Sequence, residues 1–345
     1  MRFRLIFVFL GLLTVSLPAL SDDTPWFTGP LLSGSPVVTP LGTVNTYLDM
    51  LSQHNSGIYQ NDYDFISTPR YLSSDFSPSF VYGLTNDVDF GVELDYLRNQ
   101  NEGQSYSGLG DTNMNLGFQL MTQGTSKNRS NIKLTLHQLF PTGRYDQLDP
   151  QYYTSNALGV GSYHTGISIV GQHLFALQES HYLNVYGGMT LTYASSLRLH
   201  GLSTYGGGRE TDGIIYPGDS LTADLAAEYL ISKNWVAVIE GYFLGQRASH
   251  FVGRVGNNPA AFIEGRLPSE PGSHRILFNR IMPNLHNLGN YEKIGSGNVA
   301  QITLAPALEY NFSDDIGIIG GAWFSVSGKN APAFFTTMLR LCVTW

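Results

Sequence analysis

From Val88 to Tyr96 the chain reads VDFGVELDY, and every second residue is apolar. Val88, Phe90, Val92, Leu94 and Tyr96 share one face of an extended segment. Asp89, Gly91, Glu93 and Asp95 share the other, because successive side chains of a strand point to opposite sides. The same two-residue period runs through DTNMNLGFQL from Asp111 and through LTADLAAEY from Leu221. It returns in TTMLRLCVTW, where Thr337, Leu339, Leu341, Val343 and Trp345 oppose Thr336, Met338, Arg340, Cys342 and Thr344. The pattern predicts twelve strands, near 41–50, 71–84, 88–97, 111–123, 131–140, 159–175, 182–194, 220–231, 235–246, 297–312, 316–327 and 333–345. LGTVNTYLDM, the first, alternates poorly behind Pro36 and Pro40, so the pattern is compatible with 10 to 14 strands.

A soluble sandwich also alternates, with its apolar face inward. Three features point instead to a barrel in a membrane. The segments run about 10 to 14 residues, against ~5–6 for soluble strands and ~9–11 for a tilted membrane strand. Their connections sort by side. Short links are expected at Thr85–Asp87, Gly124–Ser130, Ala176–His181, Ser232–Asn234 and Ser313–Asp315. Longer ones are expected at Leu51–Arg70, Arg98–Gly110, Pro141–Leu158, Ser195–Asp219 and Arg247–Ser296, with Gly328–Pro332 a short member of that class. Outer-membrane barrels place short turns in the periplasm and long loops outside. Aromatics then fall in two bands, with Phe175, Tyr229, Trp235 and Trp345 near the short turns and Tyr96, Tyr163, Tyr193 and Phe335 near the long loops. The reading is all-β: a transmembrane, antiparallel, up-and-down β-barrel of about 12 strands spanning 41–345.

The N-terminus carries Arg2 and Arg4, an apolar run from Leu5 to Leu17, then Pro18 and Ala19-Leu20-Ser21. This is the pattern of a secretory signal peptide, residues 1–21, cut before Asp22. Residues 22–40, with Trp26, Phe27 and three prolines, are read as a plug or a periplasmic tail. Charged residues make up 13% of the chain, and glycine (38), tyrosine (20) and phenylalanine (19) are abundant, which suits strands over helices. The lone Cys342 excludes an internal disulfide. A net charge of −8 speaks against a nucleic-acid partner. The expected location is the bacterial outer membrane, with its lipid and lipopolysaccharide as surroundings.

If the apolar face meets lipid, the polar face lines a lumen. Parity turns Glu93, Asp95, Asp111, Asp224, Glu228, Glu240 and Glu309 inward, with Lys133, Arg340, His137 and His164. Rings of charge set selectivity in channels, so Glu93, Asp95, Lys133, Glu228, Glu240, Glu309 and Arg340 are the candidate selectivity residues for a small-molecule solute. The loop 247–296 exceeds a simple connection. Its Arg254, Arg266, Arg275 and Arg280 are candidates either to fold into the mouth and constrict it or to bind lipopolysaccharide phosphate. Trp345, a large aromatic at the end of the last strand, is expected at the periplasmic interface as a signal to the barrel assembly machinery.

Catalytic patterns are sparse. YTSNALG places Tyr153 and Ala157 where an outer-membrane phospholipase carries His and Gly around its Ser-Asn. Asp314-Asp315 lies in a short turn, and no acid on an adjacent strand is an obvious partner for His137. HExxH, cysteine-rich metal spacings and phosphate loops are not found. No enzyme, metal or cofactor is expected. An adhesin acting through the long loops is the alternative to a channel, and a lipid-modifying enzyme is a more distant one.

Three stretches carry a resemblance. GLGDTNMNLGFQL (108–120) brings a Gly-x-Gly-Asp into a strand, IKLTLHQLFPTGRYD (132–146) ends a strand on Pro-Thr-Gly, and LGVGSYHTGISIVGQHLF (158–175) opens one on Gly-x-Gly. In this order they resemble the outer-membrane proteins of the MetA-pathway-of-phenol-degradation family, which are distantly like the long-chain fatty-acid transporters. The resemblance implies a barrel that passes hydrophobic or aromatic compounds. Physically the glycines are expected to turn strands at the outer rim, where φ is positive and Pro141 ends pairing.

Overall fold

The computed structural model describes residues 26–124, 130–152, 154–178, 181–256 and 294–345. The signal-peptide reading of 1–21 and Arg266, Arg275 and Arg280 lie outside them. Fifteen strands form among the described residues: β1 Val44–Tyr59, β2 Phe65–Gly83, β3 Val88–Asn101, β4 Gln104–Met121, β5 Asn131–Phe140, β6 His164–Gln178, β7 His181–Ala194, β8 Leu197–His200, β9 Asp212–Tyr216, β10 Ser220–Leu230, β11 Trp235–Gln246, β12 His250–Arg254, β13 Val299–Asn311, β14 Ile316–Lys329 and β15 Ala331–Thr344. Twelve close into an antiparallel barrel. β8, β9 and β12 form a separate sheet in the order β12-β9-β8.

Each barrel strand pairs with its sequence neighbour in the wall, and β1 closes on β15 from Asn45↔Thr344 to Tyr59↔Ala331. The seam ends in a reciprocal pair. Val44 N–H donates to Trp345 O at 2.7 Å, and Trp345 N–H donates to Val44 O at 3.0 Å. Closure leaves no strand edge in the wall, as a hydrocarbon environment demands of backbone polar groups.

Polarity is inverted relative to a soluble domain. On β3, Asp89, Glu93 and Asp95 are buried while Phe90, Leu94 and Tyr96 are exposed. The same holds round the wall: Leu225, Leu191, Ile302 and Leu339 stand outside, and Asn113, Glu228, Thr303 and Thr336 inside. The outer surface is therefore the apolar one, and both aromatic bands lie on it. At the short-turn end Trp235, Tyr310 and Phe312 form an edge-to-face chain with ring centroids 4.8 and 4.9 Å apart, an arrangement aromatic quadrupoles favour.

Two expected long connections are strand instead. β1 and β2 run to Tyr59 and from Phe65, and β3 and β4 meet at Glu102–Gly103. Both turn residues there have positive φ (49° and 81°), the geometry of a type I′ hairpin. These outer strand halves carry polar residues on both faces, so their alternation was not legible. β6 begins at His164 rather than 159. The loops after β5, β7 and β11 remain long. The latter two carry the small outer sheet, whose Leu197, Leu199 and Ile215 bury against Tyr205.

Candidate functional site

Residues 26–40 run inside the barrel. They enter beside the short turns, climb the lumen and return to β1. Asn311 Nδ2 donates to the Trp26 carbonyl at 2.9 Å, and Thr28 N–H donates to Glu309 Oε1 at 2.6 Å. At the top of the path the Glu240 carboxylate accepts three consecutive backbone N–H groups, from Leu31 (2.6 Å), Leu32 (3.0 Å) and Ser33 (2.9 Å). Ser33 Oγ donates to Asp224 at 2.7 Å. On the way back Val38 N–H donates to Gln119 and Thr39 N–H to Asp89, at 2.8 and 3.0 Å. Glu240 lies five residues above Trp235, so this strap climbs roughly 16 Å along the strand.

The strap has no helix or sheet of its own, so its backbone groups need partners from the wall. Carboxylates and the Gln119 amide take its N–H groups, and Arg340 takes two of its carbonyls: Nη1 donates to Pro30 O at 3.0 Å and Nη2 to Leu31 O at 3.1 Å. The same guanidinium is held by Asp49, with Nε 2.7 Å from Oδ1. Room is made by glycine. A Cβ on Gly83 would collide with the Pro40 carbonyl, and one on Gly317 with the Thr28 hydroxyl.

Seven residues were singled out for the lumen, and all seven are buried inside the wall. Glu240, Glu309 and Arg340 grip the strap. Glu228 accepts from Asn184 Nδ2 (2.9 Å) and Tyr186 OH (2.7 Å). Lys133 Nζ donates to Asp89 Oδ2 at 2.6 Å, with both side chains almost fully enclosed. Glu93 lines a cavity of about 490 Å³ between the strap and the wall, with Trp26, Tyr47, Tyr186 and Arg340. Asp95 lies above it on β3.

Sequence reading missed two kinds of lumen residue. Asp49 went unread because β1 alternates poorly, although its place opposite Arg340 in the β1–β15 register pairs the two. The second kind is apolar. Val238, Tyr242 and Leu244 of β11 face inward with Trp323, Phe334 and Met338, and pack with Leu31 and Leu32 of the strap. WVAVIEGYFLG is apolar on both faces, which is the sign of a strand buried on both sides. One flank of the lumen is thus polar and the other hydrophobic.

The three glycine motifs meet at the long-loop end. Asp111 accepts Gly143 N–H at 2.8 Å and Val160 N–H at 2.9 Å. This draws the loop after β5 over the mouth, where Asn99 Nδ2 also holds the Ala157 carbonyl at 2.9 Å. A Cβ on Gly143 would strike Leu158 backbone, and one on Gly159 would strike Asp111 and Gly143. Of these motif glycines only Gly161 has positive φ (74°). The others are needed for close backbone approach, which corrects the turn role expected of them. Above them Tyr205 OH donates to Val160 O at 2.8 Å, and burial pushes its phenol well above the usual range.

Arg254 stands on the outer sheet, exposed, its Nε donating to Glu210 O at 3.1 Å. Neighbouring Arg198 holds Asp212 below the ordinary carboxylate range through a hydrogen bond. Among the described residues no group of three or more His, Cys, Asp or Glu is placed to hold a metal ion.

No protein-family model matches the chain, and no curated protein matches it in sequence. Solved structures do. The COG4313 outer membrane channel from Pseudomonas putida F1 superposes with a TM-score of 0.61 at 13% identity, over 91% of this chain and 99% of that one. The NanC porin (TM-score 0.41, 8% identity, 86% and 98% covered) and the Pseudomonas putida toluene transporter TodX (0.37, 11%, 93% and 95%) are more remote. The chain has the fold of an outer-membrane barrel, as the glycine motifs led one to expect.

Proposed function

We propose that this protein is a channel of the bacterial outer membrane for small molecules, held shut by its N-terminal strap. The observation that carries the reading is the grip of Glu240, Glu309 and Arg340 on the backbone of residues 28–33. Water can replace the polar contacts that hold the strap, and its release uncovers Leu31, Leu32 and the apolar flank they pack on. The hydrophobic flank of Tyr242, Leu244, Trp323, Phe334 and Met338 gives a hydrophobic or aromatic solute a path along one side, which agrees with the cargo the family resemblance implies. The short turns face the periplasm and the outer sheet faces out. Trp345 acts at the periplasmic interface as the mark for assembly.

Hydrogen bonds to a charged group contribute about 1.5–3 kcal/mol each, so Glu240→Ala and Arg340→Ala each loosen the strap. Both variants are expected to raise the open probability in planar bilayers at least tenfold over the parent. Parent-like conductance in both, with folded barrels, sinks the gating reading.

A surface-interaction role has one specific support. The outer sheet turns Ile214, Tyr216 and Val252 outward, beside the Arg198–Asp212 pair. Removal of that sheet's exposed side chains abolishes binding to a surface partner and spares conductance if this reading holds.

A further inference from the structure

Asn115, His137 and Ser168 stand on β4, β5 and β6, three neighbouring strands of the polar flank. Asn115 pairs with His137 in register, and His137 pairs with Gly166, two residues before Ser168. All three are buried in the wall. His137 Nδ1 lies 2.7 Å from Asn115 Oδ1, and Nε2 lies 2.7 Å from Ser168 Oγ. An amide oxygen only accepts, so Nδ1 carries the ring proton and donates it to Asn115. In the neutral ring that tautomer leaves Nε2 as the acceptor for the Ser168 hydroxyl proton. A base within reach of a serine proton, itself held by a third group, is the arrangement that activates serine nucleophiles. No acid on an adjacent strand partners His137 in sequence; the fold supplies an amide instead.

We propose that Ser168, His137 and Asn115 form a latent acyl-transfer site for small carboxylic esters that enter the lumen. Ser168 Oγ attacks the ester carbonyl carbon while His137 Nε2 takes its proton. The carbonyl electron pair moves to oxygen, then returns as the C–O bond to the alcohol breaks and the alcohol leaves with the proton from His137. Water, deprotonated by the same nitrogen, releases the acid and restores Ser168. Asn115 is a positioning residue. Thr135, Thr190 and Asp224 line the same cavity. That cavity measures only about 20 Å³ and is covered by Leu32, Gly34 and Ser35 of the strap, room for about one water. The site is latent because the strap covers the serine, and access to it rests on the strap release proposed above.

The test uses the full chain in detergent and a fluorophosphonate, which Ser168 would attack at phosphorus with loss of fluoride and transfer of its proton to His137. Labelling is mapped by mass spectrometry. Glu240→Ala is expected to label at Ser168 at least tenfold faster than the parent. His137→Gln in that background lowers the rate at least a hundredfold, and Ser168→Ala abolishes it. Asn115→Ala lowers the rate and Asn115→Asp restores it, which a purely structural amide would not require. A folded Glu240→Ala barrel with an unlabelled Ser168, or labelling indifferent to His137→Gln, overturns the proposal. Should Glu240→Ala fail to fold, labelling of the parent over days decides in the same way, its presence at Ser168 with dependence on His137 supporting the site and its absence overturning it. Conductance of the same samples separates this site from the channel reading: a Glu240→Ala barrel that opens but leaves Ser168 unlabelled overturns this site alone, and one that neither opens nor labels overturns both.

Discussion

Lys133 and Asp89 show why single residues matter in this lumen. Their contact is 2.6 Å and nearly sealed from solvent, and Asp89 also holds the strap at Thr39. Removing one partner of a buried pair leaves a charge without compensation and costs about 3–5 kcal/mol. Lys133→Met is therefore expected to lower the temperature at which the barrel loses its heat-modifiable gel mobility. Adding Asp89→Asn recovers most of that loss, because an amide still accepts from Thr39 without bearing charge. Asp111 plays the same part for the outer loop. Asp111→Ala strips the acceptor from Gly143 and Val160 N–H groups, so hydrogen exchange across 143–160 accelerates at least tenfold while the barrel strands stay protected. Equal protection of that loop in the variant would show that Asp111 does not hold it.

At the scale of elements, the strap and the closing strand were legible to different degrees. The alternation of β15 was plain, and its terminal aromatic lies at the short-turn end of the seam, Trp345 Nε1 donating to Thr46 Oγ1 at 3.0 Å. Trp345→Ala is expected to reduce the yield of assembled, heat-modifiable barrel several-fold without changing the melting of the molecules that do assemble. The strap could be read only as a plug or a tail, since nothing within 26–40 reveals what binds it. The wall groups that grip its backbone are 50 to more than 300 residues away, as with Thr39–Asp89 and Pro30–Arg340. The outer halves of β1 to β4 were hidden for another reason. Beyond the apolar band of a barrel the side chains facing out need not be apolar, so period-two alternation fades while backbone pairing continues.

The described barrel is an acidic tube with a strap inside it and the loop after β5 drawn over its outer mouth. Asp75, Glu93, Asp95, Asp111, Asp224, Glu228, Glu240 and Glu309 face inward beyond the two acids paired to Lys133 and Arg340. Charged walls of low dielectric concentrate counter-ions. The channel opened by Glu240→Ala is accordingly expected to favour cations, with a reversal potential in a salt gradient on the cation side that shrinks as ionic strength rises. A reversal potential on the anion side would contradict this lumen.

The barrel class and the inward set of acids are written in the chain, because a strand's side-chain period is a local property that each segment displays alone. The chain also displays the glycine motifs, though not their purpose. The folded wall is what brings those motifs onto Asp111, sets Asp49 opposite Arg340, leads residues 26–40 through the lumen and puts Asn115, His137 and Ser168 in line. Each of these is a contact between strands or loops distant in the chain, fixed by register and closure. A residue's neighbours across a barrel are set by the geometry of the whole wall, and no window of sequence contains them.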